Sequence, residues 1–98
     1  MNVLSQNSIG ENMVKIWGKL FKGEKMVKTA TVEVDESSCT FFDMLRQLSE
    51  KLDVPTPVLL EKHVMDFNQF NMCIFMPGDF IDKVHYSKYI LQNITSND

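Results

Sequence analysis

The chain has 98 residues, 44% of them hydrophobic and 23% charged, ordinary proportions for one globular domain. At this length roughly 60–68% of the unfolded surface is buried on folding, enough for a modest core without disulfide or metal staples. The net charge of −3 argues against a wholly basic nucleic-acid-binding domain, and the longest apolar run, Met72 to Met76, is far too short to span a membrane. Cys39 and Cys73 form no close-spaced pair, and no Arg- or Lys-led apolar stretch opens the chain. Those two features point to a cytoplasmic protein with reduced thiols.

Residues 1–12, MNVLSQNSIGEN, are polar with a few scattered aliphatics and read as a disordered extension. The domain proper is expected over 13–94, with 95–98 as a tail. From Val14 to Val34 the hydrophobic period is two. Val14, Ile16, Gly18 and Leu20 point one way, and Lys15, Trp17, Lys19 and Phe21 the other. Lys22-Gly23-Glu24-Lys25 supplies a turn, and a return strand runs from Met26. Matching the faces pairs Val14 with Val34, Ile16 with Val32 and Gly18 with Ala30. The other face then pairs Lys15 with Glu33, Trp17 with Thr31, Lys19 with Thr29 and Phe21 with Val27. A one-residue slip would set Glu33 against Val14 and is rejected.

Asp35 to Ser38 form a polar connector to a helix spanning Thr40 to Leu52. Thr40 suits the N-cap, and Asp43 three residues on completes a capping box. Phe41, Leu45, Leu48 and Leu52 form a narrow apolar stripe, with Asp43, Arg46, Gln47, Glu50 and Lys51 turned to solvent. Pro55 stops this helix; Thr56 and Pro57 suit the cap and first residue of a second, running to about Gln69. Leu60, Val64, Phe67 and either Leu59 or His63 should face inward. Met72 to Met76 reads as a buried strand, Pro77-Gly78 as a type II turn, and Phe80-Ile81 as an anchor for the next loop. Tyr89 to Ile94 closes the fold as a last strand. The order ββααββ implies an α+β two-layer sandwich, with both helices on one face of a mostly antiparallel sheet. A β-grasp-like arrangement is the nearest alternative.

No chemical signature emerges. His63 and His85, with Cys73, Glu61, Asp66 and Asp79 nearby in sequence, lack the spacing of any local metal motif. His63 fits helix packing, and Cys73 an inert core thiol. There is no nucleophile elbow and no Gly-rich phosphate loop. We therefore expect no catalytic residues, no metal and no cofactor. Five of the ten basic residues, Lys15, Lys19, Lys22, Lys25 and Lys28, fall in the hairpin. Lys15, Trp17, Lys19 and Phe21 share its outward face, and helices covering one side only should leave that aromatic pair substantially exposed. The expected role is a small interaction module using this face against a protein partner or a second copy. Single-stranded nucleic acid, bound by stacking and phosphate neutralisation, is the alternative, and a plain solvated sheet face the blander one.

The second half has a recognisable texture: Pro55-Thr56-Pro57-Val58-Leu59-Leu60-Glu61-Lys62-His63, Phe67, Phe70, then Phe75-x-Pro77-x-Asp79-Phe80. Together with the opening Lys15-Ile16-Trp17, it resembles a group of small uncharacterised bacterial proteins of similar length. The resemblance covers about Met13 to Ile94 and implies no activity.

Overall fold

The computed structural model describes residues 13–95. The expected disorder of 1–12, and most of the expected tail, lie outside the described residues. Strand β1 is Met13–Lys22 and β2 is Lys25–Asp35. Helices α1 and α2 are Phe41–Leu52 and Glu61–Phe70. Strand β3 is Met72–Phe75, and a 3-10 turn at Pro77–Asp79 precedes β4 at Lys88–Asn93. The four strands form one sheet in the order β2-β1-β4-β3, and every neighbouring pair is antiparallel. The domain is thus α+β. The central β1–β4 pair is antiparallel, whereas a β-grasp sheet has a parallel central pair.

Two demands compete in the hairpin. Face matching pairs Val14 with Val34 and holds that register as far as Leu20–Lys28. The connection, however, is only the two residues Gly23 and Glu24, and Gly23 supplies the positive φ of 61° that such a tight turn needs. That turn closes Lys22 on Lys25, one residue out of step with the strands. The mismatch is absorbed between Leu20 and Phe21, so Phe21 pairs with Met26 and not with Val27.

Buried positions show which side of the sheet the helices cover. Ile16 and Leu20 of β1, Val32 and Val34 of β2, Cys73 and Phe75 of β3, and Tyr89 and Leu91 of β4 join Met44, Leu45, Leu48, Leu52 and Phe67 in one core. Thr40 caps α1 as expected: its Oγ1 accepts from the Asp43 N–H at 3.1 Å, and Asp43 Oδ2 accepts the Thr40 N–H at 3.3 Å. Leu48 sits directly over Gly18. A Cβ built on Gly18 would lie 2.6 Å from Leu48 Cδ2 and 2.8 Å from its Cγ. Ser49, on the same helix, is fully buried; its hydroxyl lies 3.0 Å from that of Tyr89 and so ties α1 to β4 across the core.

The middle of the chain departs from the reading of its prolines. The second helix begins at Glu61 and not at Pro57. Pro55 and Pro57 bias their predecessors to extended backbone, and the Val58 N–H is taken by the Asp79 carbonyl at 2.7 Å, which draws the segment out straight. Pro57 is buried, while Leu60, expected inside, is exposed at the helix start. Its N–H donates to His63 Nδ1 at 3.0 Å, so a histidine closes this helix end where Thr56 was expected to. Pro77-Gly78 is likewise a 3-10 turn and not type II, because Asp79 Oδ2 accepts the Met76 N–H at 2.8 Å and pulls the loop tight. Phe80 packs against the core, but Ile81 is 90% exposed and anchors nothing. The last strand opens one residue early at Lys88. Thr95 is more than tail, since its Oγ1 accepts the Lys15 N–H at 2.9 Å.

Gly18→Ala is expected to destabilise the domain by about 1–3 kcal/mol, because Leu48 cannot retreat within a packed core. A drop in denaturant midpoint at unchanged slope would record it, and the effect should shrink in a Leu48→Ala background. Ser49→Ala and Tyr89→Phe should each cost about 1–3 kcal/mol by stranding a buried hydroxyl. The double variant should cost less than the two losses added, as a double-mutant cycle of unfolding free energies would show.

Candidate interaction surface

Paired residues in an antiparallel sheet share a face, so the register assembles the side away from the helices row by row. One row is Thr31, Trp17, Gln92 and Met72; the next is Thr29, Lys19, Ile90 and Ile74. A third is Met26, Phe21 and Lys88, and Lys15 with Glu33 lies at the far end. No described helix packs on this side. All four hairpin residues singled out in the sequence, Lys15, Trp17, Lys19 and Phe21, therefore lie together on it.

Their exposure is less than the sequence suggested. Lys15 is exposed, but Trp17, Lys19 and Phe21 are each half-buried. The Trp17 indole N–H donates to Thr29 Oγ1, which lays the ring along β2. Lys19 runs its stem across that ring, with Nζ 4.3 Å from the ring centroid, and donates to Gln92 Oε1 at 2.9 Å. Lys88 Nζ stands 5.1 Å from the Phe21 ring centroid. Each such cation–ring contact at a surface contributes about 0.5–1 kcal/mol. The aromatics are thus clamped and oriented, each half-buried on this face.

The hairpin lysines do not act as one group. Lys28 lies on the helix side and donates to the Leu52 carbonyl at 3.2 Å, where a cation also favours the negative end of α1. Lys22 and Lys28 both approach the Tyr86 ring, each with Nζ 5.9 Å from its centroid. Lys51, from α1, donates to the Thr31 carbonyl at 2.8 Å on the outer edge of β2.

The sequence missed Met72 and Ile74; Ile90 shares their face but is buried. Met72 to Met76 read as wholly buried, yet Met72 and Ile74 are each 38% exposed because β3 is an edge strand with one bare face. The alternation of Lys88, Ile90 and Gln92 against Tyr89 and Leu91 was the available signal.

Elsewhere the polar groups serve packing. His63 is 1% exposed, its ring 4.2 Å from that of Phe75. Because Nδ1 accepts from Leu60, the proton sits on Nε2, which points at Asp79 Oδ2 3.5 Å away. His85 is exposed on the loop before β4. Among the described residues, no three His, Cys, Asp or Glu side chains converge to hold a metal ion, and no helix is long and apolar enough to cross a membrane. Cys39 and Cys73 are free. Burial, with a smaller push from the Asp66 carboxylate, raises the Cys73 thiol to about 12. No family model, curated protein or solved structure matches this chain.

The raised Cys73 thiol has a pH consequence. An unfolded thiol ionises near 9, the native one only near 12. Stability from this group is complete below the lower value and is lost as pH rises through that window. Denaturant midpoints measured at pH 7.5 and 10.5 should therefore fall in the wild type and fall less in Cys73→Ala; the Tyr89 hydroxyl and the Cys39 thiol, both also raised chiefly by burial, contribute to the loss that remains.

Proposed function

We propose that this chain is a non-enzymatic interaction module: a two-layer sandwich in ββααββ order whose uncovered sheet face docks a protein partner. The observation that carries this reading is the fixed posture of Trp17, held by Thr29 and Lys19 at the centre of a face no described helix covers. A rigid aromatic loses little conformational freedom on contact, which is why tryptophan serves so often as an interface anchor. Phe21, Ile74 and Met72 extend the apolar surface to either side, and Lys15 and Lys88 rim it. On the Lys15-Ile16-Trp17 and Pro55-Thr56-Pro57 patterns, the same proposal groups the chain with the small bacterial proteins it resembles. Its free cysteines suit the cytoplasm.

Nucleic acid is the weaker reading because the lysines already have intramolecular tasks. Lys28 holds the end of α1 and Lys19 is bonded to Gln92, and the exposed Lys15 lies at the rim of the face, away from Trp17's row.

Trp17→Ala is expected to weaken a co-purifying complex about tenfold or more, with circular dichroism and the thermal midpoint showing the domain still folded. Lys19→Glu should have a smaller effect on that complex. Binding to single-stranded DNA or RNA that falls steeply with salt and disappears in Lys19→Glu would overturn the proposal in favour of nucleic acid.

A further inference from the structure

The two edges of the sheet are treated differently. On β2 the edge is obstructed: Lys51 occupies the outward Thr31 carbonyl, and the irregularity near the turn twists the strand. Among the described residues strand β3 has no such guard. The Asn71 carbonyl accepts the Asn93 N–H at 2.8 Å, and alternation then turns Cys73 and Phe75 toward β4. The N–H and C=O groups of Met72 and Ile74 therefore point away from the sheet, and no described strand meets them.

The surroundings of that edge are apolar. Phe70 is 63% exposed and Met76 51%, beside the half-bared Met72 and Ile74. A groove of about 240 Å³ runs between α2 and β3, and Lys62, Asp66 and Phe70 line its helical wall. These three are successive turns of one stripe, so a cation, an anion and an aromatic follow one another along the edge.

We infer that the β3 edge pairs with the β3 edge of a second copy of this chain, giving a two-fold dimer with one continuous eight-stranded sheet. The charge order selects this occupant. A two-fold axis near Ile74 reverses the stripe, which brings Lys62 beside the partner's Asp66 and Asp66 beside the partner's Lys62. An isologous interface requires that self-complementarity. Ile74 and the flanking methionines of each copy then cover one another, and Phe70 closes over the end of the groove. The inference does not rest on the hairpin-face reading, for the dimer leaves Trp17 and Lys19 free and doubles that surface.

Sedimentation of the purified full chain over a concentration series tests it. The wild type should show a reversible monomer–dimer equilibrium. Ile74→Pro removes only an outward N–H and leaves the β4 ladder intact, so it should give a folded monomer. Lys62→Asp and Asp66→Lys, both on the exposed side of α2, should each raise the dimer dissociation constant about tenfold or more, and the double exchange should restore it. Restoration at an unchanged thermal midpoint of the monomer is the decisive result, because Lys62 and Asp66 are also an i,i+4 pair within α2 and an effect on the helix alone would show in that midpoint. A wild type monomeric at every concentration would overturn the inference. So would a dimer indifferent to Ile74→Pro and to both single charge reversals. A dimer lost in Trp17→Ala but kept in Ile74→Pro would also overturn it, and would assign self-association to the hairpin face instead.

Discussion

Leu48 rests on the bare backbone of Gly18, and the spacing between helix and sheet follows from that contact. With no Cβ at position 18, α1 comes down until its side chains meet main chain. At that depth Leu45, Leu48 and Leu52 join Ile16, Leu20 and Val32 in one buried cluster. It also brings the Ser49 hydroxyl within reach of Tyr89, which a helix riding one methyl group higher would strain. The close-packed interior transmits such a displacement rather than absorbing it. The glycine is therefore a packing residue in the middle of a strand, where the lost propensity is offset by the leucine it admits.

The second helix is held by polar groups where the first is held by leucine. His63 takes the Leu60 N–H, its other nitrogen faces Asp79, and Asp79 in turn ties down Met76 through its side chain and Val58 through its carbonyl. One short network thus joins the extended proline segment, the start of α2 and the turn after β3. Donors that would otherwise be orphaned at a helix start and in a loop find partners there. The histidine and aspartate that looked like scattered chemistry in the sequence act as fasteners.

Covering one face of a four-stranded sheet leaves the other to be explained. Lysine stems lie across its aromatics and keep Trp17 and Phe21 ordered while reducing the apolar area shown to water. The edges divide along the same lines, β2 guarded by Lys51 and β3 met by no described strand beside exposed apolar side chains. Among the described residues the two edges thus differ in how they are blocked against further strand pairing.

The hairpin register, the Thr40–Asp43 cap and the apolar stripe of α1 were legible in the sequence because each depends on residues close together in the chain. Alternation at period two assigns a strand its faces, and a capping box needs only three residues. The grouping of Lys15, Trp17, Lys19 and Phe21 on one face follows from the same alternation. Tertiary structure decided the rest. The insertion of β4 between β1 and β3 turned Met72 and Ile74 from core into open surface, and no local period encodes which strand becomes an edge. Pro57 looked like a helix start until a carbonyl twenty-two residues away, on Asp79, claimed the Val58 N–H. Lys28 looked like part of a basic patch until the end of α1 arrived beside it. Local periodicity specifies which way a side chain points, whereas its partner is chosen by long-range packing that brings distant segments together.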